Sequence, residues 1–524
     1  MNDDEPPADD PRGDDPQGDV LAFLADPATH GGVVPVRIDT HAASVFLAGD
    51  RALKIKRAVT FPFLDFSTLD KRRAACAAEL VANRPFAPEL YEGVVAITRE
   101  ADGRLALDGT GTLVEWAVKM RRFDETRTLD RLADAGAITP EIVEPLGPIV
   151  AAAHARAPVV AAEPWIAALG AYVEQNAEAF AARPDLFDRA AQAALTARSR
   201  AALDRLRPLL EARGKAGLVR RGHGDLHLGN IALIDGRPVP FDALEFDATV
   251  ASGDVLYDLA FLLMDLWERD LPWAANRVLD RWLAETGRRE DLDALAALPL
   301  FLSLRAAIRA KVTAAKPAPP DRAAARDAAA QKYFGLACSL IDPPRPGLVA
   351  VGGLSGTGKS QAARRLAPDL LPVPGAVVLR SDVLRKVLAG VDEHARLPPE
   401  AYTPEATARV YATLAAEAAR VLAAGHSVVA DAVFAREGER DAIAAVAATA
   451  RVGFFGAFLE ADLATREARV NGRARDASDA DAAVARHQET YDLGRLDGWA
   501  RIDASGTPAD TMAALRAALD ASAS

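Results

Sequence analysis

The octet Gly353-Leu354-Ser355-Gly356-Thr357-Gly358-Lys359-Ser360 constrains this chain more than any other feature. It fits the pattern G-x-x-x-x-G-K-[ST], follows the apolar run 348–351 and precedes a helix-like segment, 361–366. Glycines at these positions let backbone N–H groups turn inward around phosphate oxygens, and the helix start behind them adds positive potential. Gly353, Ser355, Gly356, Thr357 and Gly358 then form the cradle, Lys359 reaches the β- and γ-phosphates, and Ser360 offers its hydroxyl to Mg2+. A strand, a phosphate-binding loop and a helix in that order imply a bound nucleoside triphosphate, with ATP and Mg2+ the expected ligands.

A second phosphate-handling pattern lies upstream. The segment Gly222-His223-Gly224-Asp225-Leu226-His227-Leu228-Gly229-Asn230 has the spacing H-x-D-x-x-x-x-N, and the strand end Val239-Pro240-Phe241 leads into Asp242. Phosphoryl transfer in the protein-kinase-like fold uses three such groups. One Asp orients and deprotonates the acceptor hydroxyl, while an Asn and a second Asp hold metal on the phosphates. These roles fall on Asp225, Asn230 and Asp242, and His223 is assigned to acceptor binding. The competing reading is a polar turn or helix cap. With residues 254–262 (DVLYDLAFL), the segment resembles the aminoglycoside-phosphotransferase branch of the kinase-like superfamily, over most of 20–340. The C-terminal portion resembles P-loop small-molecule and polynucleotide kinases. The combination is similar to a bacterial family of two-domain predicted kinases.

Composition sets the frame for both motifs. A chain of 524 residues suggests two to four domains, and 50% hydrophobic residues exclude wholesale disorder. With 62 basic and 74 acidic side chains the formal charge is −12, a field that repels nucleic acid without excluding a local basic cleft. Cys76 and Cys338 have neither metal-ligand nor redox spacing, which fits a reducing cytoplasm, and Cys76 reads as a small apolar core residue. No apolar run is long enough to span a membrane and no signal-peptide pattern opens the chain, so a cytoplasmic protein without a membrane partner is expected.

Residues 1–18 are rich in Asp, Pro and Gly and read as a disordered acidic tail. A kinase-like α+β domain is expected over 19–341, with a strand-rich small lobe at 19–120 and a helical lobe at 125–341. In the small lobe, 44–47 and 51–56 read as a hairpin turning at Gly49-Asp50, 68–83 as a helix, and 90–98 and 113–120 as strands joined across Asp102-Gly103. Lys54 and Lys56 share one strand face. The family resemblance favours Lys54 as the phosphate-contacting lysine and Glu79 as its helix partner, and it makes 120–124 the hinge that meets adenine. Helices are expected at 141–157, 165–182, 188–213 and 254–268. Glu245 and Asp247 read either as tuning metal or substrate or as surface acids. Asp254 and Asp258 read as braces of the catalytic loop, with helix N-cap the alternative for Asp254.

Ile341-Asp342-Pro343-Pro344-Arg345-Pro346-Gly347 marks the boundary to a P-loop domain at 342–524. There the strand-like runs 377–380, 427–430 and 453–459 alternate with helices, which predicts a parallel sheet wrapped by helices. Chemistry in such sheets sits at the carboxyl ends of strands. Asp382, just past one run, resembles with Arg385 the acceptor pair of polynucleotide-kinase-like enzymes, Asp382 as base and Arg385 as clamp; the plain alternative is an N-cap Asp and a surface Arg. Asp431 ends another run, where a carboxylate organises Mg2+ or positions the acceptor. The run Arg466, Arg469, Arg473 and Arg475 fits a lid whose arginines neutralise the transferred phosphoryl group, Arg473 catalytically and Arg475 on the nucleotide; a basic helix face is the alternative.

These residues together predict an ATP-dependent phosphotransferase with two kinase domains, each acting on a hydroxyl of a small molecule. Two rival readings remain. The C-terminal domain could be a nucleic-acid 5′-hydroxyl kinase, or one domain could be a nucleotide-binding regulator of the other.

Overall fold

The computed structural model describes residues 17–61, 64–245, 250–472 and 477–523. The tail up to residue 16, Asp247, Arg473 and Arg475 lie outside the described residues. The last two residues assigned to that tail belong to the fold. Gln17 is buried and its amide donates to the Lys56 carbonyl at 2.8 Å and to Glu115 at 2.7 Å, while Gly18 opens the helix Gly18–Ala25. The chain packs as two compact units, Met1–Ala171 with Arg207–Leu262 and Tyr172–Leu206 with Leu263–Ser524.

The first unit is built on a six-stranded antiparallel sheet. Its strands lie in the order Val36–Asp39, Ala43–Ala48, Arg51–Lys56, Thr112–Arg121, Tyr91–Arg99, Leu105–Leu107. The expected hairpin pairs Val45 with Lys54 and Ala48 with Arg51. The Asp102-Gly103 turn leads into the short strand Leu105–Leu107 rather than into the long one, because three residues there pair back before the chain crosses to Thr112. Alternation along Arg51–Lys56 splits its side chains between two layers. Leu53 and Ile55 pack with Phe46, Val95, Ile97 and the helix residues Val20 and Leu24. Lys54 and Lys56 face the other way, toward the helix Leu69–Asn83, which Thr68 caps through the Lys71 N–H. That helix buries Cys76 and Leu80 against Leu90, Tyr91 and Val118, and burial pushes the Cys76 thiol up to about 12. The helix expected over 141–157 is two helices, Pro140–Val143 and Leu146–Arg156, since Pro145 and Pro148 supply no backbone N–H.

The second unit contains a five-stranded parallel sheet in the order Val377–Arg380, Val428–Asp431, Gly347–Gly353, Gly453–Glu460, Trp499–Asp503. The strand leading to the glycine-rich loop is central, and its core joins Val349, Val351, Val429, Ala457 and Leu459 to the helix residues Ala363, Leu366 and Leu515. Register aligns Val351 with Asp431 and Arg380 with Asp431, so the carboxyl ends of three strands meet beside the loop. The fifth strand, which shows no clear periodicity in sequence, packs Trp499 directly over Gly456. The helices Leu298–Ala315 and Pro320–Leu340 pack together, Ser303 donating to the Ala337 carbonyl at 2.8 Å, and Phe180, Phe187 and Phe334 form an aromatic cluster with ring centroids 4.7 to 5.1 Å apart. No helix among the described residues is long and apolar enough to cross a membrane.

Two outcomes follow from this packing. A Cβ on Gly456 would stand 2.5 Å from Trp499 Cδ2. Gly456→Ala therefore overpacks the sheet and lowers the unfolding free energy by about 1–3 kcal/mol, read as a lower denaturant midpoint. His426 is buried, its Nε2 donating to the Gly375 carbonyl at 2.8 Å, and burial pulls its pKa down from 6.5 to about 4. The unfolded chain therefore takes up this proton first as pH falls. The stabilisation is complete above about pH 6.5 and drains away toward pH 4, by about 3 kcal/mol in all. Unfolding curves of wild type and His426→Gln between pH 7 and 4.5 converge if this holds and stay parallel if it does not.

Candidate active sites

In the first unit, a fully buried carboxylate organises the strand lysines. Glu79 is 0% exposed, accepts a hydrogen bond from Lys54 Nζ at 2.8 Å and forms an ion pair with Lys56 Nζ at 2.6 Å. Lys54 also reaches Asp242 Oδ1 at 3.0 Å, and Lys56 reaches Glu245 Oε1 at 2.5 Å. Burial opposes charge on all three groups, but the opposite charges prevail. Asp242, Glu79 and Glu245 hold the Lys54 ammonium well above its usual value, and the two lysines hold Glu79 well below the carboxylate range. Lys54 keeps 15% of its side-chain surface open beside Asp242, whereas Lys56 is sealed at 2%. The sequence places both lysines on one face. It does not announce that they share one carboxylate, or that Glu245 is a partner rather than a surface acid.

The segment His223–Asp242 is held by a chain of specific bonds. Asp258 accepts the N–H groups of His223 and Gly224, each at 2.9 Å, and the His154 ring at 3.0 Å. Asn230 Nδ2 donates to both the carbonyl and Oδ2 of Asp225, at 3.0 and 3.1 Å. His227 Nδ1 accepts the Gly229 N–H at 3.1 Å, so its proton sits on Nε2, 3.4 Å from Asp225 Oδ2. A hairpin, Ile231–Ile234 with Arg237–Pro240, returns the chain so that the Phe241 N–H meets the Asn230 carbonyl at 2.9 Å. Asp242 follows with φ 61°, its N–H on the Tyr91 hydroxyl at 3.1 Å and its side chain half exposed. Asp225, Asn230, Asp242, Lys54 and Glu79 thus belong to one connected site.

One residue sits differently from the sequence expectation, and a second follows its alternative reading, a helix N-cap. Against the expected role in acceptor binding, His223 is completely buried and donates from Nε2 to the Phe241 carbonyl at 2.9 Å, and burial pulls its pKa below the usual imidazole value. It fixes the approach to Asp242 instead. Asp254 does not touch the catalytic loop. It pairs with buried Arg213 at 2.6 and 2.8 Å and accepts the Leu256 N–H at the start of the helix Val255–Glu268, leaving the loop to Asp258. His154 was not anticipated, since its helix shows only an apolar stripe.

In the second unit, the glycine-rich loop is braced from behind by a buried arginine. Gly356 has φ 90°, and a Cβ there would lie 2.5 Å from the Arg466 carbonyl, so glycine is required by conformation and by space. Arg466 Nε donates to the Ser355 carbonyl at 3.0 Å, Nη1 to Glu489 at 2.5 Å and Nη2 to the Ala485 carbonyl at 2.6 Å. The Ser355 N–H is taken by Gln488 Oε1 at 2.7 Å. Lys359 opens the helix Lys359–Leu366, is largely buried, and has no ion pair among the described residues, which suits a lysine kept for phosphate. Ser360 follows it in the first turn.

At the strand ends beside the loop, Asp431 Oδ2 accepts from Arg380 Nε at 3.2 Å, while Oδ1 is buried with no hydrogen-bond partner among the described residues. An orphaned buried carboxylate oxygen calls for a cation or an ordered water, so Asp431 fits a divalent metal. Asp382 lies in the first turn of the helix Ser381–Ala389, whose cap is Arg380, so it is not an N-cap. Arg385 differs from the expected clamp. Its Nη1 donates to the Ala401 carbonyl at 2.6 Å and to Thr407 at 3.4 Å, and its guanidinium stacks 4.9 Å from the Tyr402 ring centroid. Nor is the basic run 466–475 uniformly a lid. Arg466 is buried behind the loop, and Arg469 donates to the Ala504 and Gly506 carbonyls at 2.7 and 2.8 Å. Beyond it, Asp479 gathers Lys386 Nζ at 2.6 Å, the Tyr402 hydroxyl at 2.5 Å and the Leu397 N–H at 3.1 Å. Lys386 and Gln488 carry no local signal that separates them from surface residues.

The pattern of the phosphotransferase enzyme family matches residues 79–298, and that of the AAA domain matches residues 348–491. The uncharacterized protein Rv2004c of Mycobacterium tuberculosis is 30% identical over 498 residues, 92% of this chain and 94% of that protein. Uncharacterized protein Mb2027c of Mycobacterium bovis matches with the same values, 30% over 498 residues. Among solved structures, amicoumacin kinase hAmiN covers 60% of this chain and 92% of its own, at 15% identity and TM-score 0.36. A gluconokinase from Sinorhizobium meliloti 1021 covers 34% of this chain and 93% of its own, at 21% identity and TM-score 0.26. With identity of 30% along nearly the whole of its mycobacterial relatives, the chain belongs to their family, and it is a two-domain phosphotransferase in which an aminoglycoside-phosphotransferase-like kinase domain precedes a P-loop kinase-like domain.

Proposed function

We propose that the chain holds two separate ATP-dependent kinase sites, each moving the γ-phosphoryl group to a hydroxyl of a small molecule. The observation that carries this reading is the convergence, in each unit, of a phosphate-directed lysine with acids in distinct surroundings. In the first unit Asp225 takes the proton from the acceptor hydroxyl as its oxygen bonds to the γ-phosphorus. The bond to the β–γ bridging oxygen breaks and ADP leaves. Asn230 restricts the Asp225 carboxylate to the rotamer that faces the acceptor, and His227 Nε2–H stabilises its charge. Lys54, held by Glu79, exchanges Asp242 for phosphate oxygens when nucleotide enters. The side chains of Asn230 and Asp242 would hold a divalent metal, which would supply positive charge to the phosphates when bound.

In the second unit the backbone of 353–360 cradles the phosphates, Lys359 bonds to the β- and γ-oxygens, and Asp382 serves as base for the acceptor. Ser360 and Asp431 would hold a divalent metal on this side. Arg473 and Arg475 are proposed to close over the nucleotide. Arg385 shapes the acceptor wall through Ala401 and Tyr402, an arrangement that supports a compact acceptor over an extended nucleic-acid strand. The formal charge of −12 supports the same choice. A division into a kinase-like domain over 19–341 and a P-loop domain over 342–524, acting in the cytoplasm, completes the proposal.

The test is ATP turnover by wild type, Asp225→Ala and Lys359→Ala over a pooled panel of sugars, aminoglycosides, nucleosides and a 5′-hydroxyl oligonucleotide, with products read by mass. The reading predicts that each variant loses a different phosphorylated product, by at least 100-fold, and keeps the other. Loss of both products in either variant contradicts independent sites. Phosphate on the oligonucleotide that vanishes in Lys359→Ala would make the second domain a polynucleotide kinase.

A further inference from the structure

A stretch of chain without regular structure has no internal ladder, so the partners of its backbone N–H groups decide how firmly it is held. Residues 241–245 carry Asp242 and form neither helix nor strand. Four consecutive N–H groups there are each taken by another part of the first unit. The Phe241 N–H meets the Asn230 carbonyl at 2.9 Å, and the Leu244 N–H meets the His223 carbonyl at 2.9 Å. Between them, the Asp242 N–H is accepted by the Tyr91 hydroxyl at 3.1 Å and the Ala243 N–H by Asn83 Oδ1 at 2.8 Å. The outer two bonds go to the catalytic loop. The inner two reach across to the strand Tyr91–Arg99 and to the last residue of the helix Leu69–Asn83.

The inner pair of acceptors have little freedom of their own. Asn83 is completely buried, and while its Oδ1 takes the Ala243 N–H its Nδ2 donates to the Glu79 carbonyl at 2.9 Å, one turn back in the helix. One carboxamide thus joins the neighbour of Asp242 to the residue that holds Lys54. Tyr91 is buried among Cys76, Leu80, Leu90 and Val118. Burial, with the carboxylates of Glu79 and Asp242 nearby, raises its phenol well above the usual value, so a neutral hydroxyl accepts the bond. Ala243 is sealed among Ala82, Phe86 and Ala153. Asp242 itself has φ 61°, a left-handed conformation uncommon outside glycine that its surroundings must hold. Its side chain keeps 49% of its surface open. The backbone is therefore fixed while the carboxylate stays accessible.

We propose that Tyr91 and Asn83 are positioning residues for Asp242, which hold its backbone in the left-handed conformation before nucleotide or metal arrives, an inference that rests on the reading of Asp242 as a metal ligand. Tyr91 acts on Asp242 through its N–H. Asn83 acts one residue further on and couples that segment to Glu79. The spacing of Lys54, Glu79 and Asp242 is then set by the fold, and metal binding does not have to order the segment. Without either bond the segment fluctuates, and a metal has to order it on binding, which weakens the affinity.

Hydrogen exchange of the full chain without nucleotide or metal is the first measurement. The amides of Asp242 and Ala243 are expected to exchange slowly in the wild type. Tyr91→Phe keeps the ring and loses only the hydroxyl, and Asn83→Leu keeps the size and loses both bonds. Each speeds exchange at 242 and 243 about 10-fold and leaves the six-stranded sheet unchanged. The second measurement is AMP-PNP titration at graded Mg2+ in the Lys359→Ala chain, whose remaining nucleotide site is the first. Each variant raises the Mg2+ concentration for half-maximal binding about 10-fold, while binding in EDTA is unchanged. Asp242→Ala in the same background is the control. If it keeps the Mg2+ requirement of its parent, the reading of Asp242 as a metal ligand fails and the proposal with it. If Asp242→Ala loses that requirement while Tyr91→Phe and Asn83→Leu keep it unaltered, the proposal alone is overturned. Fast exchange at 242 and 243 in the wild type overturns it as well, and so does equal weakening with and without Mg2+, which marks a merely structural role.

Discussion

The first unit depends on a carboxylate that has lost all its water. Glu79 sits at 0% exposure, and a bare carboxylate in such a place is too costly to stay charged without cations in direct contact. Lys54 and Lys56, adjacent on one strand face, supply them. The arrangement ties the helix Leu69–Asn83 to the sheet, orients Lys54 toward Asp242 and fastens Lys56 to Glu245. Removing the carboxylate would leave two buried ammonium groups in repulsion, so helix, strand and the Asp242 segment hold their positions together or not at all.

The second unit solves the same problem with the opposite charge. Arg466, at 2% exposure, spends its guanidinium on the Ser355 and Ala485 carbonyls and on Glu489. It thereby fixes the glycine-rich loop, while Gly356 lets the Arg466 backbone approach within a distance that no Cβ tolerates. In each unit a buried ion fixes an element of the candidate site. Such ions contribute rigidity more than net stability, and rigidity is what phosphoryl transfer demands of its surroundings.

How much of this could be read from sequence follows from the range of the forces involved. The glycine-rich octet is legible because its glycines and lysine answer to local backbone needs. Asp225, Asn230 and Asp242 are legible because one loop and one hairpin fix their spacing. Lys54 and Glu79 come from resemblance, and the structure brings them into contact at 2.8 Å. What escaped depends on partners distant in sequence. Arg466 resembles a lid arginine until its three acceptors are in place, and Arg385 resembles a free clamp until Ala401 and Tyr402 surround it. His223 resembles a ligand-binding histidine until the Phe241 carbonyl is found against its ring. The hold of Tyr91 on Asp242 and of Asn83 on Ala243 has no local signature, since it joins residues 151 and 160 positions apart.

The central claim is that one chain carries two nucleotide sites built on different folds. Calorimetric titration with AMP-PNP and Mg2+ tests it most directly, because it counts sites without knowledge of any acceptor. The account predicts two equivalents per wild-type chain, one in Lys359→Ala and one in Lys54→Met, with the retained affinity unchanged in each variant. A single equivalent in the wild type, or loss of both on either substitution, would contradict it.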